Sequence, residues 1–157
     1  LRQHLPRRVA MMPIWTLIFS LTQHGASMST LYECVKNYQG LSLLLAVHTT
    51  NDELIGAYLS ETLHISSTYY GSGESFLWQA TPTSGLTIYR WTEANTYFIY
   101  SDRHTIIVGG GNGRCGLWLH EDLIHGNTEA CATFGNPPLS KTGSFEYMEI
   151  ELWGFVI

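Results

Sequence analysis

Three glycines, Gly111, Gly113 and Gly116, stand in G-x-G-x-x-G spacing directly after the strand-like run Thr105–Val108. That order can cradle a dinucleotide pyrophosphate, because the glycines admit a tight turn and a following helix aims free N–H groups at the anion. The helix is what the sequence lacks. Leu117 to Leu123 is too short before Gly126-Asn127, no alternating strands and helices surround it, and no Gly-Lys-Ser or Gly-Lys-Thr follows. The glycines at 109, 110, 111, 113 and 116 therefore read as a structural loop, turning one strand into the next.

Other chemistry-bearing groups meet similar limits. Gly73-Glu74-Ser75 lacks the G-x-S-x-G order of a nucleophile elbow. Glu74, between a glycine turn and an apolar strand, reads as a carboxylate exposed at a rim or tied to backbone donors. Cys115, His120, His125 and Cys131 are all zinc-competent types in one segment, but their spacing fits no compact zinc template. His120-Glu121-Asp122 with Glu129 reads instead as a hydrated acidic patch. A redox thiol needs a nearby cation or helix N-terminus, and Cys115 after Arg114 is the one candidate. Cys34 and Cys131 read as small packing residues. No metal and no cofactor is expected.

Composition narrows the partners. Thirteen acidic residues against eight basic ones leave a net charge of −5, and the basic residues are scattered apart from Arg7-Arg8. That is no footprint for nucleic acid or an anionic membrane, even though Tyr89, Trp91, Tyr97 and Tyr100 could be pictured as a stacking platform. Three cysteines without a C-x-x-C pair argue against a disulfide framework and for a reducing, cytoplasmic setting. The uncharged segment from Val9 to Gln23 is interrupted by Pro13 and three hydroxyl residues, so it reads as buried strand and not as membrane anchor. No basic n-region with a cleavage site precedes it, which is not the pattern of a signal peptide.

The elements that position these groups are mostly strands. Hydrophobic residues make up 45% of the 157 residues and charged ones 13%, against about a quarter in an average domain. A chain of this length forms one domain that buries roughly two-thirds of its unfolded surface. Aromatic and β-branched runs at Ser42–His48, Ile55–Leu59, Ser75–Ala80, Thr87–Trp91, Tyr97–Tyr100, Thr105–Val108, Gly116–Leu119 and Phe145–Phe155 are separated by turn residues. One helix is predicted from a Ser27 cap through Met28, Leu31, Tyr32 and Val35, with Gly40 beyond its end. A weaker helical stretch spans Leu1–Leu5, stopped by Pro6. The fold class expected is mainly β, a sandwich of two antiparallel sheets with a few short flanking helices.

In sequence order, WTLIFSLTQHGASMSTLY, LIGAYLSE, YYGSGESFLW, IYRWTEANTYFIY, IIVGGGNGRCGLWLHEDLIHGNT, CATFGNPPLS and MEIELWGF resemble the TLDc domain, and the resemblance runs through nearly the whole chain. Within that family, LIFSLTQHGASMSTLY is most similar to the carboxy-terminal TLDc domain of Skywalker-type synaptic TBC proteins. A start at Leu1 then suggests a piece of a longer protein. The resemblance implies a two-sheet sandwich and a role in resistance to oxidative stress. It also implies binding to subunits of the vacuolar proton-pumping ATPase. A neighbouring TBC domain would regulate Rab GTPases in synaptic-vesicle and endosomal trafficking, at the presynaptic terminal. It carries over no catalytic residues.

Two function classes follow. The first is a non-enzymatic interaction domain that docks on a pump subunit or on its own TBC domain through Glu121, Asp122 and Glu129 and the rim at Glu74. The second is a weak redox enzyme with Cys115 or Glu74 in a pocket beside the glycine loop.

Overall fold

The computed structural model describes residues 1–156. It is an antiparallel β structure whose two sheets share one long strand. The strands are β1 (Ile14–Ser20), β2 (Leu43–Thr49), β3 (Leu54–Leu59), β4 (Phe76–Thr81) and β5 (Gly85–Arg90). They continue with β6 (Ile99–Ser101), β7 (Thr105–Val108), β8 (Leu117–His120), β9 (His125–Asn127) and β10 (Ser144–Val156). The first sheet runs β5-β4-β3-β2-β10-β1 and the second β10-β9-β8-β7-β6. Residues 144–146 of β10 pair with β9, and from Tyr147 onward it pairs with β2, and with β1 from Glu151. The pairing with β2 slips between Tyr147 and Glu149, around the exposed Met148. A bulge there bends the strand where it passes between sheets.

Alternation along β2, β3, β4 and the Ile150–Trp153 part of β10 divides the first sheet into two faces. Leu43, Leu45, Val47, Ile55, Ala57, Leu59, Leu77, Ile150 and Leu152 point inward and join Ile99, Ile106, Val108, Leu117 and Leu119 of the second sheet in one buried cluster. This is the sandwich core. Each of these Leu, Ile and Val side chains contributes about 1.5–3 kcal/mol on burial.

The outer face of the first sheet is also apolar. Leu44, Tyr58, Phe76, Trp78 and Phe155 form a second cluster, covered by Leu5 and Val9 of the N-terminal segment. That segment is a 3-10 turn at Arg2–His4 followed by α1 (Arg7–Ala10). It is strapped down by polar contacts at its edges. Arg2 donates to the carbonyls of Ala10 and Met12 and lies over the Trp15 ring, while Arg90 donates to the His4 carbonyl.

The helix expected after Ser27 is α3 (Met28–Val35), and the Ser27 hydroxyl accepts from the Thr30 N–H at 3.3 Å. Gly40, at φ +85°, lies beyond its end. Several boundaries differ from the sequence reading. The Val9–Gln23 segment is strand only over Ile14–Ser20, because Pro13 has no N–H for a ladder and Ser20 caps α2 (Leu21–His24), accepting from the Gln23 N–H. Leu1–Leu5 holds a 3-10 turn where a helical stretch was expected. The Tyr97–Tyr100 run is strand only from Ile99, since the Asn95 side chain takes the Tyr97 N–H and the Phe98 N–H turns back to Thr96. β9 was not expected at all. Its Gly126 lets the strand lie against the Phe145 ring, which a Cβ would meet at 2.7 Å.

Candidate functional site

The glycine run is the β7–β8 connection, and its own backbone closes it. Gly116 donates its N–H to the Gly109 carbonyl at 3.1 Å, and Arg114 donates to Gly111 at 3.0 Å. Beneath it, the Gly110 N–H donates to Thr133 Oγ1 at 3.0 Å, and Asn95 Nδ2 donates to the Gly110 carbonyl at 3.3 Å. Thr128 secures the far end by donating to the Gly116 carbonyl at 2.6 Å. At Gly109 the need for glycine is double: φ is +84°, and a Cβ would stand 2.8 Å from Cys131 Sγ. β8 follows where a phosphate-binding loop would require a helix.

A cleft of about 510 Å³ lies beside the loop, lined by Gly111, Asn112, Arg114, Cys131, Ala132 and Asn136 among others. Cys115 and Glu74 are not among its lining residues. Burial pushes the Cys115 thiol up, and the Glu129 carboxylate adds to that rise. The Cys131 thiol is raised by burial too, and it donates to Asn136 Oδ1 at 3.1 Å. Both directions are opposite to what a thiolate nucleophile needs. Among the described residues, no three His, Cys, Asp or Glu side chains gather as a metal-binding set.

The four candidate carboxylates occupy three environments. Glu74 is held by Arg8 of the N-terminal strap in a two-pronged pair, Nη1 to Oε2 at 2.7 Å and Nη2 to Oε1 at 2.5 Å. The guanidinium holds the Glu74 carboxyl below the usual range. Glu129 sits over the glycine loop: its N–H donates to the Cys115 carbonyl at 3.0 Å, and its own carbonyl accepts from Asn136 Nδ2 at 3.0 Å.

Only Glu121 and Asp122 share a site, the turn between β8 and β9. Asp122 folds that turn, its Oδ1 accepting the N–H groups of Ile124 at 2.9 Å and His125 at 3.0 Å. Its Oδ2 faces His125 Nδ1 at 2.6 Å, and His125 Nε2 stands 3.5 Å from Glu146 on β10. Although its partial burial works against the charge, the bonds from His125 and from the two N–H groups hold the Asp122 carboxyl down to about 2. Hydrogen bonding to Asp122 raises His125 in turn. Glu121 reaches the other way, to His104 Nδ1 at 2.8 Å, which raises His104. Leu123, at φ +53°, is fully buried and anchors the turn, while Ile124 is 44% exposed at its surface.

The acidic patch expected from sequence thus divides into a histidine-clamped turn at Glu121 and Asp122 and, at Glu129, a carboxylate facing the Cys115 N–H of the glycine loop, while Glu74 lies apart in the strap contact. The partners Arg8 and His104 escaped the sequence reading. They lie 66 and 17 residues from the carboxylates they bind, and no local spacing signals them. The Asp122–His125 pair, three residues apart, was readable as an Asp side chain capping its own turn.

A two-sheet antiparallel β domain, closed by a self-bonded glycine loop, is the class of protein that this architecture defines. The chain belongs to the TLDc domain family, whose pattern matches residues 1–156. It is 39% identical over 155 residues to nuclear receptor coactivator 7 of Gallus gallus, covering 99% of this chain and 17% of that protein. Oxidation resistance protein 1 of Xenopus tropicalis is also 39% identical, with the same shares covered. Oxidation resistance protein 1 of Homo sapiens is 37% identical over 155 residues. The chain therefore spans only 17% of the length of these relatives.

Proposed function

We propose that this TLDc domain is a non-catalytic interaction module, and that its contact surface is the turn from Glu121 to Ile124. The observation that carries the reading is the way this turn is built. Two adjacent carboxylates are each held by a different histidine, beside an exposed isoleucine. Asp122 already folds this turn through the Ile124 and His125 N–H groups, so an acidic and apolar tip built on it loses less contact energy to ordering on binding.

The names of its relatives, oxidation resistance protein 1 among them, support a link to resistance to oxidative stress. The partners we propose are cytoplasmic subunits of the vacuolar proton-pumping ATPase, met at vesicle or endosome surfaces. In a protein with a neighbouring TBC domain, as the phrase LIFSLTQHGASMSTLY suggests, the same module would help tune Rab GTPase regulation in synaptic-vesicle traffic. Affinity capture from cytosol and vesicle fractions tests this, comparing the domain with its Glu121→Lys variant. Pump subunits enriched on the parent and lost on the variant support the reading, and equal capture by both refutes it.

A further inference from the structure

The segment Gly85-Leu-Thr-Ile-Tyr-Arg90 forms β5, the last strand of the first sheet, and among the described residues it pairs with β4 alone. In an antiparallel ladder every second residue directs its N–H and C=O away from the partner, so one side of β5 presents a row of unpaired backbone groups. Folded proteins usually blunt such an edge with charge, proline, a bulge or brevity. The other two edges are blunted. β6 is three residues long, and β1 carries a register shift between Leu17 and Phe19 before Ser20 turns it into α2. β5 has six residues in unbroken register, without proline or lysine. Its one charge, Arg90, is at the end, donating to the His4 carbonyl at 3.0 Å and lying over the Phe76 ring.

The side chains beside this edge are apolar on the outer face. Leu86 and Ile88 stand next to Ala80 and Trp78 in the ladder and remain only partly buried. We infer that β5 pairs with β5 of a second copy of this chain, antiparallel, about a two-fold axis through Thr87 and perpendicular to the sheet. Directly opposed residues of one sheet share a face, which selects this register. It sets Leu86 against Ile88 twice, Thr87 against Thr87, Gly85 against Tyr89, and Ser84 against Arg90. Apolar meets apolar, and no like charges are opposed.

Competing registers are poorer. A one-residue slip turns the second copy over and sets outer residues against inner ones. A two-residue slide sets Leu86 against Arg90 in one direction and brings Pro82, which has no N–H, into the ladder in the other. The joined sheets keep one continuous outer apolar face. An edge this short buries less than the roughly 1,200 Å² of a stable interface, so the association is weak and depends on concentration.

Cross-linking tests the register in a Cys34→Ser, Cys115→Ser background. Opposed residues in an antiparallel pair have Cα atoms about 4.5–5.5 Å apart, within disulfide range, so Thr87→Cys forms an intermolecular disulfide at least tenfold faster than Leu86→Cys. Sedimentation of the unaltered chain should show dimer growing with concentration. Thr87→Lys, which sets two cations face to face on the axis, should hold it monomeric. Equal cross-linking at 86 and 87, or a monomer at every concentration, overturns the inference. A monomer whose β5 amide signals shift only with an added peptide of alternating valine and threonine gives the edge to a different protein, and also overturns it.

Discussion

Asp122 and His125 grip each other through both backbone and side chain: one carboxylate oxygen accepts the His125 N–H at 3.0 Å, and the other meets His125 Nδ1 at 2.6 Å. Because the folded pKa of His125 is raised, the native state binds more protons than the unfolded chain near neutrality. The stabilisation is therefore complete below the ordinary histidine value and is lost as pH rises through the folded one. Asp122 acts at the other end. Its depressed pKa contributes above the ordinary aspartate value and is lost as pH falls toward about 2. NMR titration should find His125 above the ordinary histidine range. In Asp122→Asn it should return toward that range, with Glu146 alone left to hold it up. An unchanged His125 titration in that variant refutes the coupling.

The N-terminal strap depends on packing more than on charge. Arg8 and Glu74 keep side-chain exposures of 65% and 40%, so Glu74→Gln should cost at most about 1 kcal/mol in urea unfolding. Leu5, buried over the outer face of the first sheet, should cost about 2–3 kcal/mol as Leu5→Ala. If Glu74→Gln proves the more damaging of the two, the strap is held by its ion pair and this ranking is wrong.

Two glycines of one loop should respond differently to alanine. Gly109 combines φ +84° with a Cβ position 2.8 Å from Cys131 Sγ and 2.9 Å from the Phe134 ring. Gly113, at φ +74°, faces open space. Gly113→Ala should cost about 1–2 kcal/mol for the left-handed backbone alone, and Gly109→Ala clearly more, because strain and overpacking add. Equal thermal shifts in the two variants would mean that the loop yields around residue 109.

The elements that could be read from the sequence were those with strong periodicity and local punctuation. β7 spans the same residues as the β-branched run Thr105–Val108, and α3 begins at the Ser27 cap that precedes the helical spacing of Met28, Leu31 and Val35. β9 was missed because three residues around Gly126 carry no periodicity, and its pairing is dictated by neighbours on β8 and β10. The sharing of β10 by both sheets was not read either, although the apolar alternation changes phase between Tyr147 and Ile150, at the bulge around Met148. At the candidate site the turn role of Asp122 went unread although its signal is local, an Asp two and three residues before the N–H groups it accepts, whereas Arg8 and His104 reach their carboxylates only through the tertiary fold.

The thiols give a direct chemical test. With burial and Glu129 raising Cys115, alkylation at neutral pH should be slower than that of an unperturbed cysteine. Peroxide consumption should be the same for the domain and for Cys115→Ser. A rapid reaction abolished by that substitution would restore a redox role.

The histidine-clamped turn is the binding surface proposed for this domain. Its most direct measurement is the affinity of the domain for the purified cytosolic sector of the vacuolar proton-pumping ATPase, with and without Glu121→Lys combined with Ile124→Ser. These substitutions spare Asp122, which folds the turn, so the melting transition should hold within the usual range for surface changes, about 0.5 kcal/mol. The expected result is binding by the parent that weakens at least tenfold in the variant, a loss of about 1.4 kcal/mol. Equal affinity of parent and variant, with both folded, would contradict the account.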